Sequence, residues 1–263
     1  MQPTTLGPNM TGATLTPAAL AAMTQATDEL TPFDEIDTSE MDSQKLDYID
    51  ASDTVGSIPV PTTLKGVAKS GISTLKGKHP GVFLDKLGER LAYERAGVRL
   101  YDALLLKFDS ATQLDKGDVL PAVQIEGEDG KARAPETSEE MLNRIRSEEL
   151  EHFQLLSEAI IKMGGDPTSQ TPCADVTALA SSGFMQVLAD PRTTLAQCLN
   201  AMLAVELADN AGWELLASLA DDMGEADLVG QFLGALAQEQ EHLLIVKQWL
   251  TALVYEEPKP AAI

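Results

Sequence analysis

The sequence predicts an all-α protein: a four-helix bundle with a long crossover between its second and third helices, preceded by an extended or flexible N-terminal arm. Three observations carry this. From residue 82 onward, apolar residues recur at spacings of three and four over four long stretches, the period of helices that bury one face. Capping residues and glycines stand where those stretches should start and stop. Residues 1–80 show neither feature and hold little that could build a core.

Taken in order, residues 1–80 are rich in Thr, Ser, Pro and Gly and then turn acidic. The stretch 28–53 carries ten carboxylates and one lysine. A lysine-bearing piece, TTLKGVAKSGISTLKGK (62–78), follows. A solvated tail is the expectation, with an arm that wraps a partner subunit as the other reading. LTPAALAAMTQA (15–26) predicts a short helix within it. The bundle is expected over 81–256, with a C-terminal tail at 257–263.

The four helices are placed at about 82–108, 138–163, 194–223 and 225–255. Thr137 and Glu140 have capping-box spacing ahead of the second. Pro191 suits the first turn of the third. Gly224 fits a tight joint between the third and fourth, which makes them antiparallel neighbours. The stretches 109–137 and 164–193 are rich in turn residues, and VQIEGEDGK (123–131) is a candidate hairpin. The thirty residues of 164–193 are long enough to run the length of a bundle. Two antiparallel pairs follow, first with second and third with fourth, joined by that crossover.

Composition narrows the partners. A net charge of −22 disfavours nucleic acid and anionic membranes and suits cations. No apolar run approaches a membrane span. The N-terminus has neither the basic region nor the apolar run of a secretory signal, so a cytoplasmic location is expected. Cys173 and Cys198 form no CxxC and read as buried small hydrophobes.

Each helix has a seam. In the first it runs Leu87, Leu91, Glu94, Val98, Tyr101, Leu105 and Phe108. The second gives Leu142, Ile145, Glu149, His152, Leu156, Ala159 and Met163. The third gives Leu199, Met202, Glu206, Asp209, Trp213, Leu216 and Ala220. The fourth gives Phe232, Ala235, Glu239, His242, Val246, Trp249 and Leu253. Ionisable residues interrupt the middle of all four. Converging buried carboxylates repel each other and are costly to desolvate. No Lys or Arg is placed on the seams by this reading, so a metal pair is the simplest compensating charge. Glu149-x-x-His152 and Glu239-x-x-His242 put a carboxylate and an imidazole on one helix face, twice. With a seam-centred Glu94 and Glu206, this is the ligand pattern of di-iron and di-manganese bundles. Glu89, Glu148, Glu151 and Glu241 fall off the seams and read as solvated, as does His79. Trp213 and Trp249 read as packing.

Over roughly residues 82–255 these motifs resemble the ferritin-like superfamily, and within it the rubrerythrin-like proteins. YERAGVRLY places Tyr101 where the family's first helix carries a tyrosine, and VELADNAGW offers Asp209 where rubrerythrins carry an additional carboxylate. That carboxylate is Asp here, and no four-cysteine rubredoxin domain is present. The resemblance implies a ferritin-like four-helix bundle in which Glu149 and Glu239 bridge two metal ions. Glu94 and Glu206 would bind one each, and His152 and His242 would supply one nitrogen each. It implies two iron ions, with manganese or a mixed pair as alternatives, and a hydrogen-bond partner holding each imidazole through its other nitrogen. Tyr101 and Asp209 are candidates for a catalytic role or an extra ligand. The activity implied is oxidoreduction with peroxide or dioxygen, of peroxidase or ferroxidase type, using an external electron donor. A homo-oligomer is also expected, with the arm as one candidate contact. Iron storage without turnover, an oxygenase acting on an organic substrate, and a purely structural metal are the alternatives.

Overall fold

The computed structural model describes residues 17–30, 37–75, 77–115, 119–125 and 133–256. Among them are eight helices and no strand. By its internal contacts the chain divides between Thr54 and Val55.

The first unit carries α1 (Pro17–Leu30) and α2 (Ser39–Ala51). Neither helix buries a residue. Their backbone turns are supported by local bonds, such as the Asp37 carboxylate accepting from the Ser39 N–H at 2.9 Å. The helix expected within 15–26 is α1, and it runs on to Leu30.

The second unit holds α3 (Leu64–Leu75), α4 (Pro80–Asp115), α5 (Ser138–Met163), α6 (Pro172–Ala189), α7 (Leu195–Met223) and α8 (Ala226–Glu256). The arm is expected to end at residue 80, whereas residues 55–75 belong to the second unit and touch its long helices. The Thr62 N–H donates to the Gly164 carbonyl at 2.9 Å. Gly66 lies so close to Gly164 that neither position has room for a Cβ. Gly164 also caps α5 at φ 87°, where only glycine is at ease. Deleting residues 1–54 should leave the melting temperature of the remainder unchanged. Deleting through residue 75 should lower its stability by about 1–2 kcal/mol, read by chemical denaturation, because the buried Gly164 carbonyl loses its backbone donor.

Caps explain the ends. Thr137 and Glu140 form the capping box foreseen for α5. At α7 the cap is Thr194, boxed with Gln197, and Pro191 lies in the preceding turn. Gly224, at φ 74°, ends α7 and lets α8 begin two residues later. The candidate hairpin at 123–131 falls mostly on residues outside the described set. Of the crossover, 172–189 forms α6, which the turn-rich composition hid. Thr171 caps it, Pro172 opens it, and it packs along α4.

The long helices form antiparallel pairs. Going along α4, Asp102 reaches back to Arg146, while Gly97 lies against Glu149. Between α7 and α8, Asn210 donates to the Glu239 carbonyl, and the Trp213 ring packs at a tilt against Phe232. Also, α4 runs antiparallel to α7, with Tyr93 bonded to the Val205 carbonyl and Lys107 to that of Thr193. Seam residues are buried except Val98, Leu105 and Leu253, which are half-buried. Buried Tyr93, Leu100 and Leu104 show that the covered face of α4 is wider than its seam, because α6 packs beside it. No described helix is long and apolar enough to cross a membrane.

Two apolar clusters result. One gathers Tyr101, Leu142, Leu199 and Trp249, the other Phe83, Leu156, Trp213 and Phe232. Between them lies a polar layer.

Candidate metal centre

That layer contains Glu94, Glu149, His152, Glu206, Asp209, Glu239 and His242, each at most 2% exposed. All six expected metal-site residues and Asp209 therefore converge, as four seams meeting at one height require. Three sets of ligand atoms lie within 4.8 Å of one another. One is Glu149, Glu206, Glu239 and His242; the second is Glu94, His152 and Glu239; the third is Glu94, Glu149, Asp209 and Glu239. Glu239 belongs to every set.

Both imidazoles are held by their outer nitrogens. His152 Nε2 lies 2.9 Å from Gln238 Oε1, and His242 Nε2 lies 2.7 Å from Glu148 Oε2. This leaves both Nδ1 atoms facing the centre. His152 Nδ1 stands 2.8 Å from Glu239 Oε1, and His242 Nδ1 stands 3.4 Å from Glu239 Oε2. The support is reciprocal. The residue before Glu149 holds the histidine of the other motif, and the residue before Glu239 does the same in return. Glu148 is thus no solvated glutamate. Arg144 anchors it at 3.1 Å and also binds Glu241 at 2.9 Å, which in turn binds Arg133. Glu89 is half-buried against Lys86 and Thr177. Glu151 and His79 are exposed, as expected.

Two more side chains set the layer's charge. Tyr101, fully buried, donates its hydroxyl to Glu206 Oε1. Burial and the adjacent Glu206 carboxylate push its pKa well up, so it remains a neutral donor. No cation lies on the seam itself, but Arg90 stands just beside it, 5% exposed, one turn before Glu94. Its guanidinium binds Glu94 Oε1 at 3.0 Å and pairs with Asp209. It also lies 4.3 Å over the Tyr93 ring. A Cβ at position 212 would collide with it, and one at 97 would collide with Glu149, so glycines on α7 and α4 make room for both groups.

Arg90 balances only part of the negative charge. Burial, reinforced by Glu239, pushes Glu206 up to about 8. Burial and the surrounding carboxylates push Glu149 and Asp209 up as well, with Arg90 opposing at Asp209. Burial would lower His152, but Glu239 and Glu94 overrule it and raise the imidazole to about 11. His242 is raised by the same kind of contact. The two imidazoles hold Glu239 low against its own burial. Without metal the centre is a store of protons.

The donor set fits a metal. Glu94 Oε2, Glu149 Oε2, Glu206 Oε2, both Glu239 oxygens and both imidazole Nδ1 atoms are buried without a hydrogen-bond partner. Buried polar atoms are normally satisfied, so this cluster of unsatisfied atoms is compatible with a cation between them. Buried Glu and His groups here could hold a metal ion. Compared with protein-family models, characterised proteins and solved structures, the chain matches none.

Proposed function

We propose that this protein is a di-metal oxidoreductase of the ferritin-like kind, acting on peroxide or dioxygen with electrons from an external donor. The observation that carries it is the ring of unsatisfied oxygen and Nδ1 atoms between two apolar clusters. Glu149, Glu206 and His242 would hold one ion, Glu94 and His152 the other, with Glu239 common to both sets. When bound, two redox-active ions such as iron or manganese, which suit oxygen-rich ligands with one imidazole each, supply electrons for reductive cleavage of an O–O bond.

The chain's own residues do the rest. Tyr101 fixes the Glu206 carboxylate. Gln238 and Glu148 fix the rings of His152 and His242, and the edge-on Trp213 ring, 5.3 Å from His152, packs against the imidazole. Arg90 holds both Asp209 and Glu94 by salt bridges, which sets these two apart from Glu149, Glu206 and Glu239. Leu, Phe and Trp side chains above and below exclude water, so charge inside the layer is strongly felt.

The test is metal analysis of protein from iron-supplemented cells, followed by rapid mixing of the reduced protein with peroxide and with dioxygen. Two ions per chain and a faster optical change with one oxidant are expected. Metal retained with no reaction would leave storage standing and remove the enzyme. Affinity should also rise with pH. At pH 7 His152 (about 11) and Glu206 (about 8) hold protons that an incoming ion must displace. Calorimetry in buffers of different ionisation enthalpy should report proton release; none would contradict the ligand assignment.

A further inference from the structure

A cavity of about 240 Å³ lies between α4 and α6, apart from the metal centre. Its wall is apolar, formed by Tyr93, Leu100, Phe184 and Met185, and Ala96 and Ala178 leave it open. Its hydroxyl groups are already engaged. Thr177 donates to Glu89 at 2.9 Å, Ser181 to the Thr177 carbonyl at 2.7 Å, and Ser182 to the Leu179 carbonyl at 3.0 Å. The free donors are on Arg95 and Arg99, one turn apart on α4 and both exposed at the rim.

Those two arginines differ from the rest. The chain has 41 acidic and 19 basic residues, so carboxylate partners are plentiful. Arg90, Arg133, Arg144, Arg146 and Arg192 each pair with at least one. Among the described residues Arg95 and Arg99 pair with none; Arg99 only meets the Arg95 carbonyl, at 3.3 Å. The two unspent guanidiniums flank the same apolar cavity.

We propose that this cavity binds a small organic carboxylate with an apolar body. The head lies between Arg95 and Arg99, where a planar fork matches a carboxylate. The body lies on Tyr93, Leu100, Phe184 and Met185. At ~30 Å³ per water-sized group the space takes about eight non-hydrogen atoms, the body of a medium-chain acid. The site stands whether or not the centre holds metal. It shares one group with it, since the Tyr93 ring that lines the cavity also backs Arg90.

Octanoate titrated into the full-length protein tests this, with octanamide as the uncharged body of the same length. Saturable binding of octanoate is expected, with octanamide weaker by about tenfold or more, the loss of a charge-assisted pair. Arg95→Gln with Arg99→Gln should remove that difference. Ala178→Phe, which fills the cavity from an exposed position, should abolish binding of both, while circular dichroism and metal content stay those of the unaltered chain. Equal affinity for the two probes, full affinity in Ala178→Phe, or no saturable binding of octanoate would each overturn the assignment.

Discussion

Glu149→Gln is expected to take metal binding from two ions per chain to at most one while leaving the metal-free fold intact. Burial and its carboxylate neighbours already push Glu149 well above the usual carboxylate range, so without metal the side chain resembles a neutral acid. Glutamine matches that state in shape and charge. The metal-free melting temperature should therefore stay level or rise, because a site optimised for a ligand is strained without it. The rise in melting temperature on adding metal, which reflects binding to the folded state alone, should shrink sharply. Alanine at 149 would confuse this by opening a cavity. Glu239 is a poorer probe of the fold, since both imidazoles lean on it. A Glu149→Gln chain that keeps full two-metal occupancy would refute the centre as described.

Replacing Arg90 should do the reverse and damage the fold. Arg90→Met removes the cation that Glu94 and Asp209 share inside the layer. Breaking a buried pair from one side typically costs about 3–5 kcal/mol, because the partner charge is left unpaired. The loss should be read by denaturant unfolding of the metal-free protein and should be smaller in acid. Burial already raises the Asp209 carboxyl, and without the opposing Arg90 it stays above its unfolded value, so its stability contribution is present at low pH and lost as pH rises. Adding Asp209→Leu should recover part of the loss, and the shortfall from additivity measures the pair. A neutral Arg90→Met variant would mean that Asp209 takes up a proton at no cost and that the salt bridge is incidental.

Much of the centre was legible because burial of ionisable groups violates the apolar period, and a violation repeated at one height on four helices has few causes. Glu206 and His242 lie at equal distances in sequence from Gly224, so a tight turn alone sets them level. Less was legible where one helix covers another. The widened buried face of α4 depends on α6, whose turn-like composition gave no periodic stripe. Arg90 escaped because it lies just beside the seam of α4, and one helical turn decides whether an arginine meets water or Asp209. The outer partners of the histidines did leave a trace. Residues 148–152 read EELEH and 238–242 read QEQEH, so an acceptor precedes each motif. Sequence alone could not say that each acceptor serves the opposite histidine, since that follows from antiparallel packing of α5 and α8.

The polar layer also divides the hydrophobic interior into two, one group around Trp249 and another around Trp213 and Phe232. Cooperativity in a globular protein ordinarily spreads through continuous side-chain packing. Here it must cross a stratum of charges, carried by unbroken helix backbones and by whatever joins the carboxylates. An ion clasped there would act as a mechanical rivet as well as a reagent. With it the two halves open together; without it each half is free to breathe on its own.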